Sequence, residues 1–259
     1  MKRMILLLGL LNTIACAQTN PPQLTAKFTG SDGGFAVCEL FTSEGCSSCP
    51  PADALLKTLE KDYPANNVYV MEFHVDYWDK LGWKDKYSNP AYTKRQNAYC
   101  TALQSQTYTP QMIVNGKQQL IGSDKAKVHY AIDEALKKDQ KSLSIEYNVI
   151  VRDEQADITF VSEGFDKKDI LNVALVQSED SSAVKAGENN GHTLRHVNIV
   201  RQFVSSPLKN TFGKLSIDIP GELKDKSLKL IVYTQNHKSL AVTSATALNL
   251  DKNAKQTSL

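Results

Sequence analysis

The segment Gly45-Cys46-Ser47-Ser48-Cys49-Pro50-Pro51-Ala52-Asp53 carries two cysteines separated by two residues. An apolar run, residues 35–41, precedes it across a polar turn, and leucines at positions 55, 56 and 59 follow it. Apolar run, turn and amphipathic segment predict a strand, a turn and a helix over residues 51–63, with prolines at the first helical positions. The pattern therefore places Cys46 at or just before a helix N-terminus.

This position of Cys46 predicts a reactive thiol. Unpaired N–H groups and the helix dipole favour a negative charge, and the thiolate is the nucleophilic form of cysteine. Cys49 lies one turn further on and is able to close a disulfide with Cys46. Two alternatives stay open. Half of a zinc site would need further soft ligands, and the sequence has no second such pair. A structural disulfide would close too short a loop to contribute much chain entropy.

Residues 1–17 are typical of an export signal. Lys2 and Arg3 precede the apolar residues 5–11, and Ala15-Cys16-Ala17 forms a small-residue cleavage site. Cleavage there removes two positive charges and no acids, so the formal net charge falls from +2 to 0 and gives no indication of nucleic-acid binding. The apolar run is too short to span a bilayer, and no later stretch is apolar enough. We therefore expect a periplasmic or secreted protein without a transmembrane segment.

A lipid anchor is the alternative at the same site. Ile14-Ala15-Cys16 is a partial lipoprotein signal in which Cys16 becomes the lipidated first residue, although Thr13 stands where such signals usually carry leucine. The remaining cysteines are Cys38, in the predicted strand, and Cys100, in a predicted helix. In an exported protein these two either pair or stay as buried free thiols, and the sequence alone leaves both outcomes open.

The order of predicted elements divides the chain. Residues 18–33 are predicted to be a flexible lead-in and residues 251–259 a frayed tail. Residues 34–140 are predicted to alternate strands and helices, with an Asn115-Gly116 hairpin and a helix capped by Asp124. From residue 141 to 250 the sequence shows only strand patterns, which predicts a β-sandwich domain. The strand-like runs are Leu143–Val151, Ala156–Val161, Leu171–Gln177, Leu194–Val204, Lys214–Ile219, Leu228–Tyr233 and Leu240–Leu248.

The first region resembles a thioredoxin fold, because its strand, Cys-x-x-Cys helix, strand, inserted helices and hairpin follow that order. The resemblance implies a cis peptide bond before Pro110, with Thr109-Pro110 facing the dithiol. It assigns Cys46 as the attacking thiol and Cys49 as the resolving thiol. The predicted fold class is thus an α/β thioredoxin-like fold followed by a C-terminal all-β, sandwich-like domain.

A closer resemblance extends over nearly the whole chain after the signal. Glu39–Asp53, His74–Asp79, Tyr108–Gln111 and Gly187–Asn198 are similar to one family of exported bacterial proteins, a domain of unknown function of the DUF1223 type. The resemblance implies a thioredoxin-like core and a setting outside the cytoplasm. It implies no substrate.

Other side chains are predicted to serve the dithiol. The thioredoxin resemblance implies that a buried Glu39 exchanges protons with the resolving thiol if burial raises its pKa; the alternative is a carboxylate at the strand end that is hydrogen-bonded or exposed. Thr109, Ser47, Ser48 and Trp78 are predicted to line a substrate groove.

Two histidines are considered as metal ligands. His74 ends the second predicted strand, and with Cys46 and Cys49 it would complete a copper site, or a zinc site together with Asp76; the alternative is a histidine hydrogen-bonded to Asp76 or Asp79. His196 is predicted to belong to a polar cluster or an interdomain contact rather than to a metal site.

These observations lead to one main hypothesis and two alternatives. The main hypothesis is an exported thiol–disulfide oxidoreductase that acts on protein thiols or disulfides of the cell envelope and needs no cofactor beyond its own disulfide. The first alternative is a thioredoxin-like metallochaperone that binds copper through Cys46, Cys49 and His74. The second is a non-catalytic binding module.

Overall fold

The computed structural model of the protein describes residues 23–28, 34–63, 67–137, 144–152, 154–163, 165 and 168–250. The predicted export signal, the predicted boundary at residues 140–141 and the predicted tail lie outside the described residues. The described residues form three α-helices, α1 (Pro50–Asp62), α2 (Pro90–Ala102) and α3 (Lys125–Leu136). Their strands are β1 (Gln23–Phe28), β2 (Ala36–Thr42), β3 (Val68–His74), β4 (Gln111–Val114), β5 (Gln118–Ile121), β6 (Ser144–Arg152), β7 (Gln155–Glu163), β8 (Asp169–Ala183), β9 (Thr193–Pro207), β10 (Phe212–Asp218), β11 (Leu228–Asn236) and β12 (Val242–Asn249).

Most strands belong to one mixed sheet. Its eight strands follow the order β12-β11-β8-β9-β3-β2-β4-β5, and β1, β6, β7 and β10 form a second, four-stranded sheet. Strands β2 and β3 are parallel, as the strand–helix–strand pattern predicts. Strand β9 also runs parallel to β3, with Glu72 opposite Ile199, whereas β8 and β9 form a long antiparallel hairpin. This hairpin joins the two halves of the large sheet.

The predicted fold class is therefore wrong. We expected a thioredoxin-like α/β fold followed by a separate sandwich, but the chain is mostly β and its large mixed sheet takes strands from both regions. The physical reason lies in β9, where Ile199, inside the predicted strand Leu194–Val204, lies opposite Glu72 of β3. The free edge of β3 accepts this strand because its backbone N–H and C=O groups need partners, so the region predicted to be a separate sandwich joins the same sheet.

The lead-in prediction also needs correction. Residues 23–28, placed in a flexible segment, form β1 and pair antiparallel with residues 145–150 of β6. Leucine, alanine and phenylalanine alternate with polar residues in this stretch, which is a strand period. The surrounding proline and glycine residues obscured it in the sequence.

The hydrophobic core has three parts around the large sheet. One cluster covers one face and contains Phe41, Phe73 and Tyr99. On the opposite face, α1 and α3 pack on the β2–β4 half. The four-stranded sheet packs against β8 and β11. The sheet is thus buried on both sides, and the turn that leaves β2 for α1 emerges at its edge.

Candidate functional site

The two cysteines of the motif form a disulfide between the end of β2 and the start of α1. Both are fully buried, while Ser47 and Ser48 between them are exposed. Cys49 is the N-cap residue, and Pro50 and Pro51 occupy the first helical positions without N–H groups. The next two N–H groups bond the Cys49 carbonyl. The unpaired N–H groups that the sequence argument expected are therefore not directed at the disulfide, although the helix dipole still is.

The predicted groove residues meet beside the disulfide. The Thr109–Pro110 peptide bond is cis, which confirms that prediction. The Ser48 hydroxyl lies 3.3 Å from the Cys46 sulfur and 3.5 Å from the Thr109 carbonyl oxygen. The Trp78 indole donates a 2.9 Å hydrogen bond to the Thr109 hydroxyl. These contacts place the two serines of the motif, Thr109 and Trp78 around one side of the disulfide.

The other side is covered by residues 184–192, which connect β8 to β9 and are called the cap loop below. The Asn189 side chain donates hydrogen bonds to the carbonyl oxygens of Glu44, at 2.9 Å, and Cys46, at 3.0 Å. The Glu188 carboxylate accepts a 2.9 Å hydrogen bond from the Ser47 N–H, and this contact lowers its pKa. The cap loop therefore holds the turn that carries the disulfide.

Glu39 occupies a different environment from the one predicted. It lies on the face of β2 opposite α1, with Val37 and Phe41, so it does not share a side of the sheet with the helix that starts at Cys49. Both of its oxygens bond Arg95, at 2.6 and 2.9 Å, and the Tyr99 hydroxyl donates to it at 2.5 Å. Both oxygens of Glu39 are therefore engaged by Arg95 and Tyr99, and the side chain is not a free carboxyl group beside the dithiol.

A group of buried polar side chains lies on the α1 side of the sheet. Each is at most 3% exposed. The group, called the His–carboxylate cluster below, comprises Glu44, Asp53, Glu72, His74, Asp85 and His196. It draws on the disulfide turn, α1, β3, the segment after β3, and β9. The large sheet therefore brings together residues up to 152 positions apart in the chain, the separation of Glu44 and His196.

The two histidines occupy the centre of the cluster. His74 Nδ1 lies 2.7 Å from Asp85 Oδ2, and His74 Nε2 lies 3.4 Å from Glu72 Oε2. His196 Nδ1 lies 3.4 Å from the same Glu72 oxygen, and its Nε2 lies 3.5 Å from Glu44 Oε1. The sequence suggested Asp76 or Asp79 as the partner of His74; the structure shows Asp85, because residues 75–85 fold back over the end of β3.

Proximity shifts the pKa values of the acids in opposite directions. Burial and the nearby Glu72 carboxylate raise the pKa of Asp53 to about 7. Burial alone would raise the pKa of Glu72 too, but the adjacent His196 and His74 imidazoles hold it below its ordinary value. Asp53 also accepts a 2.8 Å hydrogen bond from the Thr42 hydroxyl. The two carboxyls therefore differ in charge near neutral pH.

The histidines are shifted upward. Burial would lower the pKa of His74, but the charge and hydrogen bond of Asp85 raise it well above its ordinary value. Burial likewise opposes protonation of His196, yet the facing carboxylates of Glu44 and Glu72 raise its pKa to about 9. Burial would raise the pKa of Asp85, but His74 lowers it. The shifts favour positively charged imidazoles beside negatively charged carboxylates in the cluster.

Sequence reasoning found only part of this cluster. It considered His74 and His196 separately and missed Asp53, Glu72 and Asp85 as their partners. Asp53 was recognisable as an acid in the first turn of α1, but Glu72 lies within an apolar strand, and its relation to His196 depends on the pairing of β3 with β9. The copper hypothesis stays a prediction, and the donor atoms grouped with His74 in the described residues belong to Glu72 and His196.

Cys38 and Cys100 are both free and buried, which answers the question of their pairing. Burial, with a smaller contribution from Glu39, raises the pKa of Cys38 to about 12. We therefore expect neither thiol to react with iodoacetamide in the native oxidised protein at pH 8. Mass spectrometry after denaturation without reductant should find both labelled, with Cys46 and Cys49 labelled only after reduction. Rapid native labelling of Cys38 would contradict this packing.

The family is decided by the sequence around this site. A family model described as protein of unknown function (DUF1223) matches residues 37–235, which include the disulfide, the cis-proline and every member of the His–carboxylate cluster. The chain belongs to the DUF1223 family. This DUF1223 protein is similar to the crystal structure of a protein from Agrobacterium tumefaciens, with a TM-score of 0.62 and 24% sequence identity, over 88% of this chain and 99% of that chain. That likeness shows a shared fold alone.

No curated protein matches the DUF1223 chain. Among the helices of the described residues, none is long and apolar enough to cross a membrane.

Proposed function

We propose that this protein is a thiol–disulfide oxidoreductase that exchanges electrons with protein thiols or disulfides through Cys46 and Cys49. The observation that carries the proposal is a disulfide at the N-terminus of α1, beside the cis Thr109–Pro110 bond. A helix N-terminus stabilises a thiolate there by its dipole. Ser48 adds a hydroxyl 3.3 Å from the Cys46 sulfur, positioned to donate a hydrogen bond to that thiolate.

In the reducing direction the chemistry has two steps. The Cys46 thiolate attacks one sulfur of a substrate disulfide, the substrate S–S bond breaks, and the departing thiolate takes a proton. The Cys49 thiolate then attacks the Cys46 sulfur, the second substrate thiol leaves, and the Cys46–Cys49 disulfide forms. Two electrons pass to the substrate, so an external dithiol must reduce the protein again. The oxidising direction reverses the same steps.

Redox titration of the mature protein against glutathione or dithiothreitol mixtures tests the proposal. We expect a reversible couple between about −270 and −120 mV, the range of known dithiol catalysts, and reduction of insulin disulfides in the presence of dithiothreitol. Cys46→Ser and Cys49→Ser should abolish both, whereas Cys100→Ser, which removes a thiol outside the motif, should retain both. A couple below about −300 mV without insulin reduction would identify a structural disulfide and overturn the proposal.

Access to the disulfide should depend on the cap loop. Because Cys46 and Cys49 are fully buried, a reagent reaches them only after the loop opens. Asn189→Ala removes two hydrogen bonds, each contributing about 1 kcal/mol, so the open state should be about 10–30 times more populated. We expect the rate of disulfide reduction by dithiothreitol, measured from the thiols released, to increase by about tenfold, because the loop has to open before the reagent reaches the disulfide.

The matched control is Asn190→Ala, since Asn190 is the next residue and its side chain is exposed. Its reduction rate should equal that of the wild type. Equal rates for Asn189→Ala and the wild type would show that the cap loop does not control access to the disulfide.

A further inference from the structure

Three potential metal ligands converge below the disulfide. His74 Nε2 and His196 Nδ1 each lie 3.4 Å from Glu72 Oε2, and the donor atoms of the three residues all lie within 4.8 Å of one another. All three side chains are fully buried or nearly so. Two imidazole nitrogens and a carboxylate oxygen form a donor set that divalent first-row transition ions, zinc above all, prefer.

The distances fit a shared ion better than direct hydrogen bonds. Ligands placed about 2.0–2.1 Å from a tetrahedral zinc ion are separated from each other by about 3.4 Å. Both contacts to Glu72 Oε2 have this length. A good N–H···O hydrogen bond is shorter, with a usual separation of about 2.9–3.0 Å. The three donors therefore surround a point suited to a small cation.

Each ligand has a second contact that orients it. Asp85 holds His74 Nδ1 at 2.7 Å, which leaves Nε2 for a metal. Glu44 faces His196 Nε2 at 3.5 Å, on the side away from Glu72. The second oxygen of Glu72 accepts a hydrogen bond from the Val197 N–H at 3.3 Å. Carboxylates and backbone groups behind the ligands are the usual outer contacts of protein metal sites.

Unsatisfied atoms provide an independent observation. Neither ring nitrogen of His196 has a hydrogen-bond partner, although the residue is 1% exposed, and Glu44 Oε1 is also without one. Buried polar atoms normally have partners, so an orphaned imidazole directed at a carboxylate calls for a missing ligand.

The charges point the same way. Four buried carboxyl groups, those of Glu44, Asp53, Glu72 and Asp85, face only two imidazoles, so carboxylates outnumber imidazoles even with Asp53 protonated. Within the described residues no lysine or arginine forms an ion pair with any of the four. A divalent cation would supply the positive charge that this arrangement lacks.

We propose that Glu72, His74 and His196 bind a divalent transition-metal ion, Zn²⁺ by their chemistry, with Asp53 as the fourth ligand. Asp53 Oδ2 lies 3.9 Å from His196 Nδ1, and the Thr42 hydroxyl holds its other oxygen. Asp53 lies outside the group of three donors that are within 4.8 Å of one another, so its carboxylate has to move toward the ion to complete a tetrahedral set. Four protein ligands leave no open position, so the ion is structural and joins β3, β9 and α1 beneath the disulfide.

A cleft of about 370 Å³ lies next to this site, between α1 and β9, and is lined by Asp53, Leu194 and Val197, among others. The proposed fourth ligand therefore forms part of the wall between this cleft and the other three ligands, which do not line it.

Metal binding by the oxidised protein tests the inference. The disulfide is kept intact and chelator-treated protein is titrated with Zn²⁺, with metal content measured by inductively coupled plasma mass spectrometry after dialysis. We expect one Zn²⁺ per chain. His196→Ala and Glu72→Gln should lower the affinity by more than 100-fold, while His192→Ala, which removes an exposed histidine of the cap loop, should retain it. This readout needs no redox activity, so its failure and that of the proposed function are separate results.

Co²⁺ bound to the wild-type protein gives a test that does not depend on variants folding. Strong visible d–d bands without a thiolate charge-transfer band would support a tetrahedral nitrogen and oxygen site. A thiolate band, a weak octahedral spectrum, or no stoichiometric uptake of Zn²⁺ or Co²⁺ would overturn the proposal. The last result would show that protons on the imidazoles and on a carboxyl group, and no metal ion, balance the charge of the cluster.

Discussion

Replacing Arg95 with leucine is expected to lower the free energy of unfolding by about 3–5 kcal/mol, because it leaves a buried carboxylate without its partner. Glu39 is 1% exposed, and Arg95 bonds both of its oxygens. Arg95 also donates to the hydroxyls of Tyr99 and Tyr233, each at 2.8 Å. The loss thus removes the hydrogen bonds by which Arg95 of α2 reaches both β2 and β11. Urea denaturation followed by circular dichroism measures the change.

The control is a second arginine, whose own side chain is exposed and whose acidic partner also pairs with Lys214. Arg152 lies 2.9 Å from Asp157, but its side chain is 57% exposed, so solvent screens the interaction. Arg152→Leu should therefore change the unfolding free energy by less than about 1 kcal/mol. The double variant Glu39→Met/Arg95→Leu should be more stable than Arg95→Leu alone, because no uncompensated charge remains. Equal stabilities for Arg95→Leu and Arg152→Leu would contradict this account.

The individual elements were largely predictable from the sequence, because each depends on local periodicity and end signals. Apolar spacing and proline gave α1 and α2, and Asp124 caps α3 by accepting the Lys127 N–H. All seven strands predicted after residue 141 are present within a few residues, except that β8 is much longer. Only β1 was missed among the described strands. Whether a segment forms a helix or a strand depends on its periodicity and its end signals, and both are contained in the residues of the segment itself.

The arrangement of those elements was not predictable in the same way. Alternating polarity shows that β9 is a strand, but nothing within it indicates that it pairs with β3, about 130 residues earlier. That single parallel contact converts two expected units into one sheet. It also explains why the cluster escaped prediction, since His196 meets Glu72 only through this pairing.

The same distinction applies to the site residues. Cys46 and Cys49 belong to a local motif that predicts their disulfide, whereas the cis bond before Pro110 was expected from the resemblance to a thioredoxin fold. Glu39 was assigned from its place in a strand before the motif, but strand residues alternate between faces. Leu40 and Thr42 face α1, whereas Glu39 faces α2 and Arg95. Glu39 is close to the motif in sequence, but it lies on the face of β2 opposite the one that Leu40, the next residue, shares with α1.

Replacing Gly116 with alanine is expected to destabilise the fold by about 2–5 kcal/mol, the sum of a left-handed backbone conformation and a collision in a packed region. Asn115 and Gly116 have φ angles of 49° and 63°, as the Asn-Gly hairpin requires. A Cβ atom at Gly116 would lie 1.8 Å from the carbonyl oxygen of Leu240. Backbone atoms yield less readily than flexible side chains, so the connection between β11 and β12 would have to move.

This connection is fixed on the other side as well. Asn115 accepts a 2.7 Å hydrogen bond from the Val37 N–H and donates one of 2.8 Å to the Phe35 carbonyl, while its own carbonyl accepts from the Val242 N–H. The turn therefore links β2 to β12. A displaced hairpin would weaken both ends of the large sheet.

Gly191→Ala separates the two contributions. Gly191 has a φ of 83°, but no heavy atom lies within 4 Å of a Cβ placed there. Its substitution should cost only the conformational part, about 1–2 kcal/mol. Thermal and urea unfolding of both variants measure the difference. The two substitutions share the left-handed backbone cost and differ in the steric collision at Gly116. If Gly116→Ala is as stable as Gly191→Ala, the hairpin and the β11–β12 connection do not pack as closely as the structure shows.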